Sequence, residues 1–358
     1  MSDISASKFL TLLKWFFLVF VLIAIANLAI EFLLVSRAYV SIVSGGKGIL
    51  KEIYVTEDSD HNFLTQHSRD IFEGYQKTSY RYSVGPVRDF SKAISFNGAT
   101  DGRRITSSES LNNKKYQGIM FGASQSWGYF VDDEHLLSQL LMNKMNDVAI
   151  DNYSLLGVTL EQIISYWQSV ESQLSDRKFV VVIGGVLDIM NYCYFEPYAF
   201  QHRGQITDQI GLVSFYNKLV SKLNADNNLI YCNDEADIDN VVQRVLNSIE
   251  AILLQAKKND MQALIVIPPV PLLGSSNVGN FSSNSSFLKM KKATHLVYKE
   301  LDKRVSSVDS ASVINLMHAF DDGEIYFLDP MGHFTERGHE KLAEEIINQV
   351  GEDFFRAN

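Results

Sequence analysis

Short apolar runs alternate with longer segments of helical periodicity from Tyr116 to near the end of the sequence. Runs rich in valine, isoleucine and phenylalanine that end at glycine or proline predict buried strands, whereas apolar residues three and four apart predict amphipathic helices. Strands that alternate with helices are joined by right-handed crossovers, which place them in one parallel sheet covered by helices. The sequence therefore predicts an α/β domain whose functional side chains lie at the carboxyl ends of the strands.

The predicted elements can be assigned to ranges of the sequence. We expect strands over 116–121, 148–154, 179–185, 263–269 and 312–317, and helices over 135–145, 159–170, 238–253, 286–306 and 342–350. About 40 residues between Cys193 and Cys232 interrupt the alternation, and we interpret them as an inserted lobe. A disulfide between the two cysteines would close the base of this lobe, but two free buried thiols fit the sequence equally well.

A long apolar segment lies near the start of the sequence. Residues 15–35 contain only Asn27 and Glu31 as polar residues, and a helix of this length spans a bilayer core of roughly 30 Å. We interpret the segment as an uncleaved transmembrane helix. A cleaved signal peptide is the alternative, because residues 36–38 carry small side chains at cleavage-site positions, although a signal peptide has a shorter apolar stretch. Basic residues flank both ends, so the positive-inside rule leaves the orientation undecided.

These features divide the chain into three parts. Residues 1–35 form an N-terminal tail and the transmembrane helix, and residues 36–110 form a stalk and an irregular lead-in from which one edge strand could come. Residues 111–358 form the α/β domain, with the inserted lobe at about 193–232. The sequence thus predicts one large folded domain that is tied to a membrane.

Charge and motif content exclude two classes of protein. The chain has 42 acidic and 32 basic residues, a net charge of −10. Nucleic-acid binding needs clustered lysine and arginine, so no nucleic-acid partner is expected. The eight histidines and two cysteines form no CxxC or HExxH spacing, so the sequence indicates no metal and no other cofactor.

Two segments of the predicted domain carry residue types used in nucleophilic catalysis. GASQSWG (122–128) follows the first strand, and a serine at such a turn has an exposed Oγ beside backbone N–H groups. FLDPMGHFTERG (327–338) places Asp329 and His333 in one loop, where a carboxylate can orient a histidine as general base. Each segment alone also fits an ordinary loop. Together they indicate a nucleophile and its base.

The two segments and two others resemble the sequence blocks of the SGNH/GDSL hydrolase superfamily over roughly 116–351. GASQSWG resembles the first block, with Ser124 at the nucleophile position, and the fifth block is matched with His333 as catalytic histidine and Asp329 as its carboxylate partner. The other matching segments are NYSLLGVTLEQ (152–162), IGGVLDIMN (183–191) and the lead-in FNGATDGRR (96–104). The resemblance implies a three-layer, flavodoxin-like α/β sandwich with a five-stranded parallel sheet.

The chain departs from the superfamily at the oxyanion site. Ser154 stands where we expect the glycine of the second block. Its backbone N–H would still bind the oxyanion, together with Gly122 and the backbone N–H of Ser124. Leu187 occupies the place of the asparagine in the third block, with Asp188 next to it. Loss of one oxyanion donor costs roughly 10²- to 10³-fold in rate. Asn191 or a backbone group is the expected substitute.

The nucleophile and acid segments also differ from the superfamily pattern. Ala123 replaces the aspartate that follows the first glycine of the first block. The spacing from acid to histidine is one residue longer than usual, and Gly332 is the apparent extra residue. Asp321 and Asp322 are the weaker candidates for the acid.

The resemblance implies ester chemistry through an acyl-serine intermediate. Combined with the apolar segment at 15–35, it implies a single-pass inner-membrane protein with a periplasmic serine esterase or O-acyltransferase domain that acts on an acylated cell-envelope glycan. The implied partners are the lipid bilayer, the glycan and a membrane-bound O-acyltransferase. The alternative is a catalytically weakened SGNH domain that serves as a binding or assembly subunit, which Leu187 and the longer acid loop favour.

Overall fold

A computed structural model describes most of the predicted α/β domain and part of the lead-in. The described residues are 14–23, 25, 26, 29, 61–81, 84–106, 114–193, 232, 234–273, 276–278, 285–305, 307, 308, 311–329 and 331–356. Residues 14–23, 25, 26 and 29 are helical. Within the described ranges, no helix is both long enough and apolar enough to cross a membrane. The rest of the expected span, the stalk up to residue 60 and the predicted lobe at 194–231 lie outside the described residues.

Five parallel strands form the central sheet. They are β3 (Tyr116–Gly122), β4 (Val148–Asn152), β5 (Phe179–Ile183), β6 (Gln262–Ile267) and β7 (Val313–Asn315), and their order across the sheet is β4-β3-β5-β6-β7. Every neighbouring pair is parallel. The predicted five-stranded parallel sheet is confirmed. All five residues of β5 are buried, as expected for a valine-rich strand in a parallel sheet that is covered on both faces.

Helices connect and cover these strands. They are α2 (Ser124–Trp127), α3 (Leu137–Lys144), α4 (Leu160–Val170), α5 (Val186–Cys193), α6 (Glu235–Lys258), α7 (Ser285–Val305) and α8 (Glu336–Val350), with 3₁₀ turns at Glu171–Gln173 and Glu352–Arg356. Helix α3 packs against α8, whereas α6 packs against α4, α5 and α7. The α/β architecture is therefore as predicted. Helices α2 and α5 were not expected, because each is too short for its periodicity to show in the sequence.

The lead-in is more regular than the sequence indicates. It contains α1 (His61–Gln76) and an antiparallel hairpin of β1 (Thr78–Arg81) and β2 (Gly85–Arg88). The hairpin is a separate two-stranded sheet, so the expected edge strand is not part of the main sheet. Val84 and Val87 are buried in the main hydrophobic core. The described lead-in residues therefore pack onto the α/β domain instead of forming an irregular connection.

A disulfide joins the two cysteines of the chain. Cys193, the last residue of α5, is bonded to Cys232, which lies 39 positions later, just before α6. Both residues are buried. Of the two states that the sequence left open, the structure has the bridge.

Candidate active site

The turn after β3 positions the candidate nucleophile. Strand β3 ends at Gly122, and α2 begins at Ser124, so the serine lies at the carboxyl end of an interior strand. A Cβ at Gly122 would lie 2.0 Å from the Ser126 Oγ and 2.6 Å from the backbone oxygen of Ile183. Only glycine fits there. Ala123 precedes the helix with extended backbone and makes no side-chain cap, which accounts for the tolerance of alanine in place of aspartate.

The structure brings Ser124, His333 and Asp329 into one hydrogen-bonded chain. The Ser124 Oγ lies 2.8 Å from the His333 Nε2, and the His333 Nδ1 lies 2.5 Å from the Asp329 Oδ2. A carboxylate at Nδ1 fixes the tautomer in which Nδ1 carries the proton and Nε2 accepts one. The side chains of Asp329 and His333 are only 11% and 12% exposed, so water has little access to their hydrogen bond. This is the geometry of a serine nucleophile with an oriented base.

The two weaker candidates for the acid have other partners. Asp321 lies 2.8 Å from the Nδ1 of His318, and Asp322 accepts hydrogen bonds from the Tyr326 hydroxyl and a backbone N–H. Neither is bonded to His333. The longer acid-to-histidine spacing therefore does not displace the acid from Asp329.

A compact loop accommodates the extra residue Gly332. The Asp329 Oδ1 accepts the backbone N–H groups of Met331 and His333, so the same carboxylate organises both the loop and the imidazole. Gly332 has a φ of 85°, a left-handed conformation that favours glycine. Its carbonyl accepts a hydrogen bond of 3.0 Å from the side chain of Gln125, the residue after the nucleophile. The sequence motifs do not reveal this contact.

The predicted oxyanion role of Ser154 is not what the structure gives. The Ser154 N–H donates to the Asn152 Oδ1 at 3.0 Å, and the Asn152 Nδ2 donates to the backbone oxygen of Ser126. Ser154 is fully buried, and its Oγ has no hydrogen-bond partner. Because the side chain of Asn152 accepts the Ser154 N–H, this amide stabilises the turn and does not point to an oxyanion role.

Gly157, three residues further along the same loop, is the alternative candidate for the amide that binds the oxyanion. The Leu155 N–H donates to the Gly122 carbonyl at 3.0 Å, which carries the loop across the carboxyl end of β3. Gly157 follows in a left-handed conformation with a φ of 73°. Within the described residues, neither the Ser124 amide nor the Gly157 amide has a backbone acceptor. Gly157 is thus a functional candidate that sequence reasoning missed, and its signal was a glycine shortly after a strand.

The third block supports the fold around the site. The Asp188 carboxylate accepts the Leu160 N–H at 3.0 Å and so caps α4, and burial raises the pKa of Asp188 to about 7. Asn191 is buried, and both of its side-chain polar atoms lack hydrogen-bond partners. Leu187 packs against the main core. The contact of Asp188 is therefore a helix cap, and Asn191 makes no hydrogen bond to the triad.

An aromatic ring lies against the imidazole of His333. The centroid of the Tyr129 ring is 4.4 Å from that of His333, with 32° between the ring planes. Burial raises the pKa of the Tyr129 hydroxyl, so the ring stays uncharged. Sequence reasoning missed this residue, because GASQSWG gives no indication of where the following chain turns.

Arg104 holds the same segment from the lead-in. Its side chain is fully buried and donates to the carbonyl oxygens of Gly128 and Val131 as well as to the Asp133 carboxylate. A charged side chain is buried at low cost only when it is paired and hydrogen-bonded in this way. Arg104 thereby fixes the backbone that leaves α2.

One cluster in the described part of the chain has metal-ligand residue types. Ligand atoms of Asp132, His135 and Glu336 lie within 4.8 Å of one another. The cluster is partly exposed, and the His135 Nδ1 lies at a hydrogen-bond distance of 2.7 Å from the Asp132 carboxylate. It shares no residue with the triad.

Comparisons with known proteins give structural matches alone. No family model matches the sequence, and no curated protein matches it. A psychrotrophic esterase from a Pseudoalteromonas species is similar in structure at a TM-score of 0.38 and 11% identity, over 68% of this chain and 100% of the esterase. An acetylxylan esterase from Geobacillus stearothermophilus matches at 0.37 and 14%, over 68% and 98%. A carbohydrate acetylesterase family member from Sinorhizobium meliloti matches at 0.38 and 13%, over 68% and 100%.

Proposed function

We propose that the protein is a serine ester hydrolase of the SGNH type. One observation carries this proposal: the Ser124 Oγ, the imidazole of His333 and the carboxylate of Asp329 form a continuous hydrogen-bonded chain. Nucleophilic catalysis by serine requires a base at Oγ and a group that orients that base. All three are present at the carboxyl end of a strand, where α/β domains carry their active sites.

The reaction would proceed through an acyl-serine intermediate. The Ser124 Oγ attacks the carbonyl carbon of the ester while the His333 Nε2 takes its proton, and the Asp329 carboxylate stabilises the imidazolium that forms. His333 then protonates the alcohol as it leaves. Water, activated by the same imidazole, releases the acid and restores the serine. The amides of Ser124 and Gly157 are the proposed donors to the oxyanion.

Labelling with a fluorophosphonate tests the proposal. The wild-type protein should react, because the reagent requires an activated serine, and Ser124→Ala should not. Ser126→Ala is the matched control: this buried serine lies two residues away and donates to the backbone oxygen of Ala123, so its loss should leave the labelling. Absence of labelling in the wild type from pH 6 to pH 9 would refute the assignment.

The same proposal extends to the substrate and the location. The apolar segment at 15–35 supports a single-pass membrane protein, and the Cys193–Cys232 disulfide supports an oxidising compartment such as the periplasm. We propose that the substrate is an acylated cell-envelope glycan, with the bilayer and a membrane-bound O-acyltransferase as partners. If a sugar hydroxyl replaces water at the acyl-serine, the protein is an O-acyltransferase.

Product analysis separates hydrolysis from transfer. The protein is incubated with an O-acetylated polysaccharide and an unacetylated oligosaccharide, and the products are measured by mass spectrometry. Free acetate alone indicates hydrolysis, whereas acetylated oligosaccharide indicates transfer. Neither product, from a protein that the fluorophosphonate labels, would reject the glycan as substrate.

A second candidate function is a binding subunit with weakened catalysis. It is supported by Leu187 in place of the asparagine donor and by the Ser154 amide, which donates to Asn152. A wild-type protein that escapes fluorophosphonate labelling but binds the acylated glycan would favour this function.

A further inference from the structure

A buried histidine of α1 contacts the segment that follows the nucleophile. The ring of His67 is fully buried among aromatic side chains, and its Nε2 accepts the backbone N–H of Phe130 at 3.1 Å. Burial, reinforced by Arg104, lowers the pKa of His67 well below its usual value. The ring is therefore neutral, which is the form that can accept a hydrogen bond at this nitrogen.

Phe130 has a backbone conformation that needs support. Its φ is 65°, which is rare for a bulky side chain and persists only where the surroundings hold it. Two contacts with α1 supply that support: the hydrogen bond to His67 and a buried apolar cluster that Phe130 forms with Leu64 and Leu328. Leu328 directly precedes Asp329, so the cluster reaches both catalytic segments.

The ring of the preceding residue, Tyr129, contacts both Phe130 and the imidazole of His333. Tyr129 packs edge to face on Phe130, with 4.2 Å between the ring centroids, and its ring also lies 4.4 Å from the imidazole of His333. Phe130 directly follows Tyr129, so the contacts of Phe130 with α1 also bear on the place of the Tyr129 ring.

We propose that α1 is a positioning element of the active site, in which His67 and Phe130 hold the Tyr129 ring against the imidazole of His333. This inference rests on the proposed ester hydrolysis. When His333 takes the Ser124 proton, the imidazolium lies against an electron-rich aromatic ring, a favourable cation–π contact. Asp329 faces the imidazole at Nδ1 and Ser124 faces it at Nε2, and His339 is the further titratable group near it.

Paired substitutions of His67 and Tyr129 test this role. Activity on p-nitrophenyl acetate is expressed per active site, counted by fluorophosphonate titration. Tyr129→Leu and His67→Leu should each lower kcat about tenfold with little change in KM, the loss expected from one such contact. They should also shift the midpoint of the acidic limb of the kcat–pH profile. Tyr129→Phe keeps the ring and His67→Gln keeps an acceptor, so both should recover most of the activity.

The controls separate positioning from a merely structural role. His295→Leu on α7 removes a partly exposed histidine far along the chain and should leave kcat and its pH profile as in the wild type. If His67→Leu and Tyr129→Leu lower the number of titratable sites but leave kcat per site and the pH profile unchanged, the proposal is overturned.

A spectroscopic measurement keeps the test independent of turnover. The Nδ1–H of His333, bonded to Asp329, should give a low-field proton NMR signal that disappears in Asp329→Ala. The signal should move or broaden in His67→Leu and stay in place in His67→Gln; an unchanged signal in His67→Leu contradicts the inference. A wild type that is not labelled by fluorophosphonate refutes the ester hydrolase instead, and the NMR result then still decides the role of α1.

Discussion

The side-chain amide of Gln125 donates a 3.0 Å hydrogen bond to the carbonyl oxygen of Gly332. The two residues are 207 positions apart in the chain, yet one follows Ser124, the candidate nucleophile, and the other precedes His333, its candidate base. This bond ties the nucleophile turn to the lengthened acid–base loop. It explains how an extra residue is accommodated without separating His333 from Ser124.

Replacing Gln125 with methionine should therefore loosen the acid–base loop. The variant keeps the length of the side chain but cannot donate to Gly332, so we expect kcat to fall about five- to tenfold, the effect of one lost hydrogen bond near 1 kcal/mol. KM should stay within a factor of two. Steady-state kinetics on p-nitrophenyl acetate measures both. Gln243→Met is the control, because Gln243 bonds to Asn247 on the surface of α6; a Gln125 variant as active as this control would disprove the tie.

Replacing Gly332 with alanine should strain the same loop. Its φ of 85° disfavours any Cβ, and an added Cβ would lie 3.1 Å from the Pro271 Cδ. We expect a loss of about 1–2 kcal/mol in stability and at least a tenfold loss of kcat/KM. Gly323→Ala is the matched control, because Gly323 has a φ of 90° with no atom within 4 Å of the added Cβ. It should lose similar stability in a denaturant titration but no activity, and equal activity losses in the two variants would count against a specific role of Gly332.

His339 should make the folded state sensitive to acid. Burial lowers the pKa of His339 to about 3, and both ring nitrogens lack hydrogen-bond partners. The unfolded chain takes up this proton near pH 6.5, so stability is lost as the pH falls below that value. The wild type should therefore lose about 2 kcal/mol of its free energy of unfolding through His339 when the pH falls from 8 to 5, and His339→Leu should not show this loss. Guanidinium unfolding at the two pH values measures the difference, with His295→Leu as control; an equal difference at both pH values would contradict the prediction.

Removing the disulfide should destabilise the fold. A bridge that closes a loop of 39 residues lowers the entropy of the unfolded chain by an amount worth about 4 kcal/mol at room temperature. The double variant Cys193→Ser and Cys232→Ser should consequently unfold at lower temperature than the oxidised wild type, and reductant should shift only the wild type. A wild-type melting temperature that is insensitive to reductant would show that the bridge contributes nothing.

The central sheet could be predicted from the sequence because burial on both faces demands continuous apolar runs. The consecutive valines of β5 predict this strand. The predicted ranges of α4 and α7 agree with the structure to within a residue. Helix α1 was hidden for the opposite reason. Among those of its residues whose burial the structure describes, Leu64 and Ile71 are the buried apolar side chains of this helix, and the polar residues His67, Ser68 and Asp70 are buried beside them.

The candidate triad followed from residue types and their order, whereas the contacts around it did not. That Asn152 captures the Ser154 amide depends on one side-chain conformation. That Tyr129 lies on His333 depends on a left-handed phenylalanine and on a helix more than 50 residues earlier in the chain. Neither condition leaves a pattern of spacing or hydropathy, so neither could be predicted.

The hydrogen bond between Ser124 and His333 joins positions 209 residues apart. A ribosome adds about 5–20 residues per second, so the base emerges roughly 10–40 s after the nucleophile. Throughout that interval the growing chain carries a serine with no proton acceptor. A chain interrupted before residue 333 would therefore lack the base of the proposed mechanism.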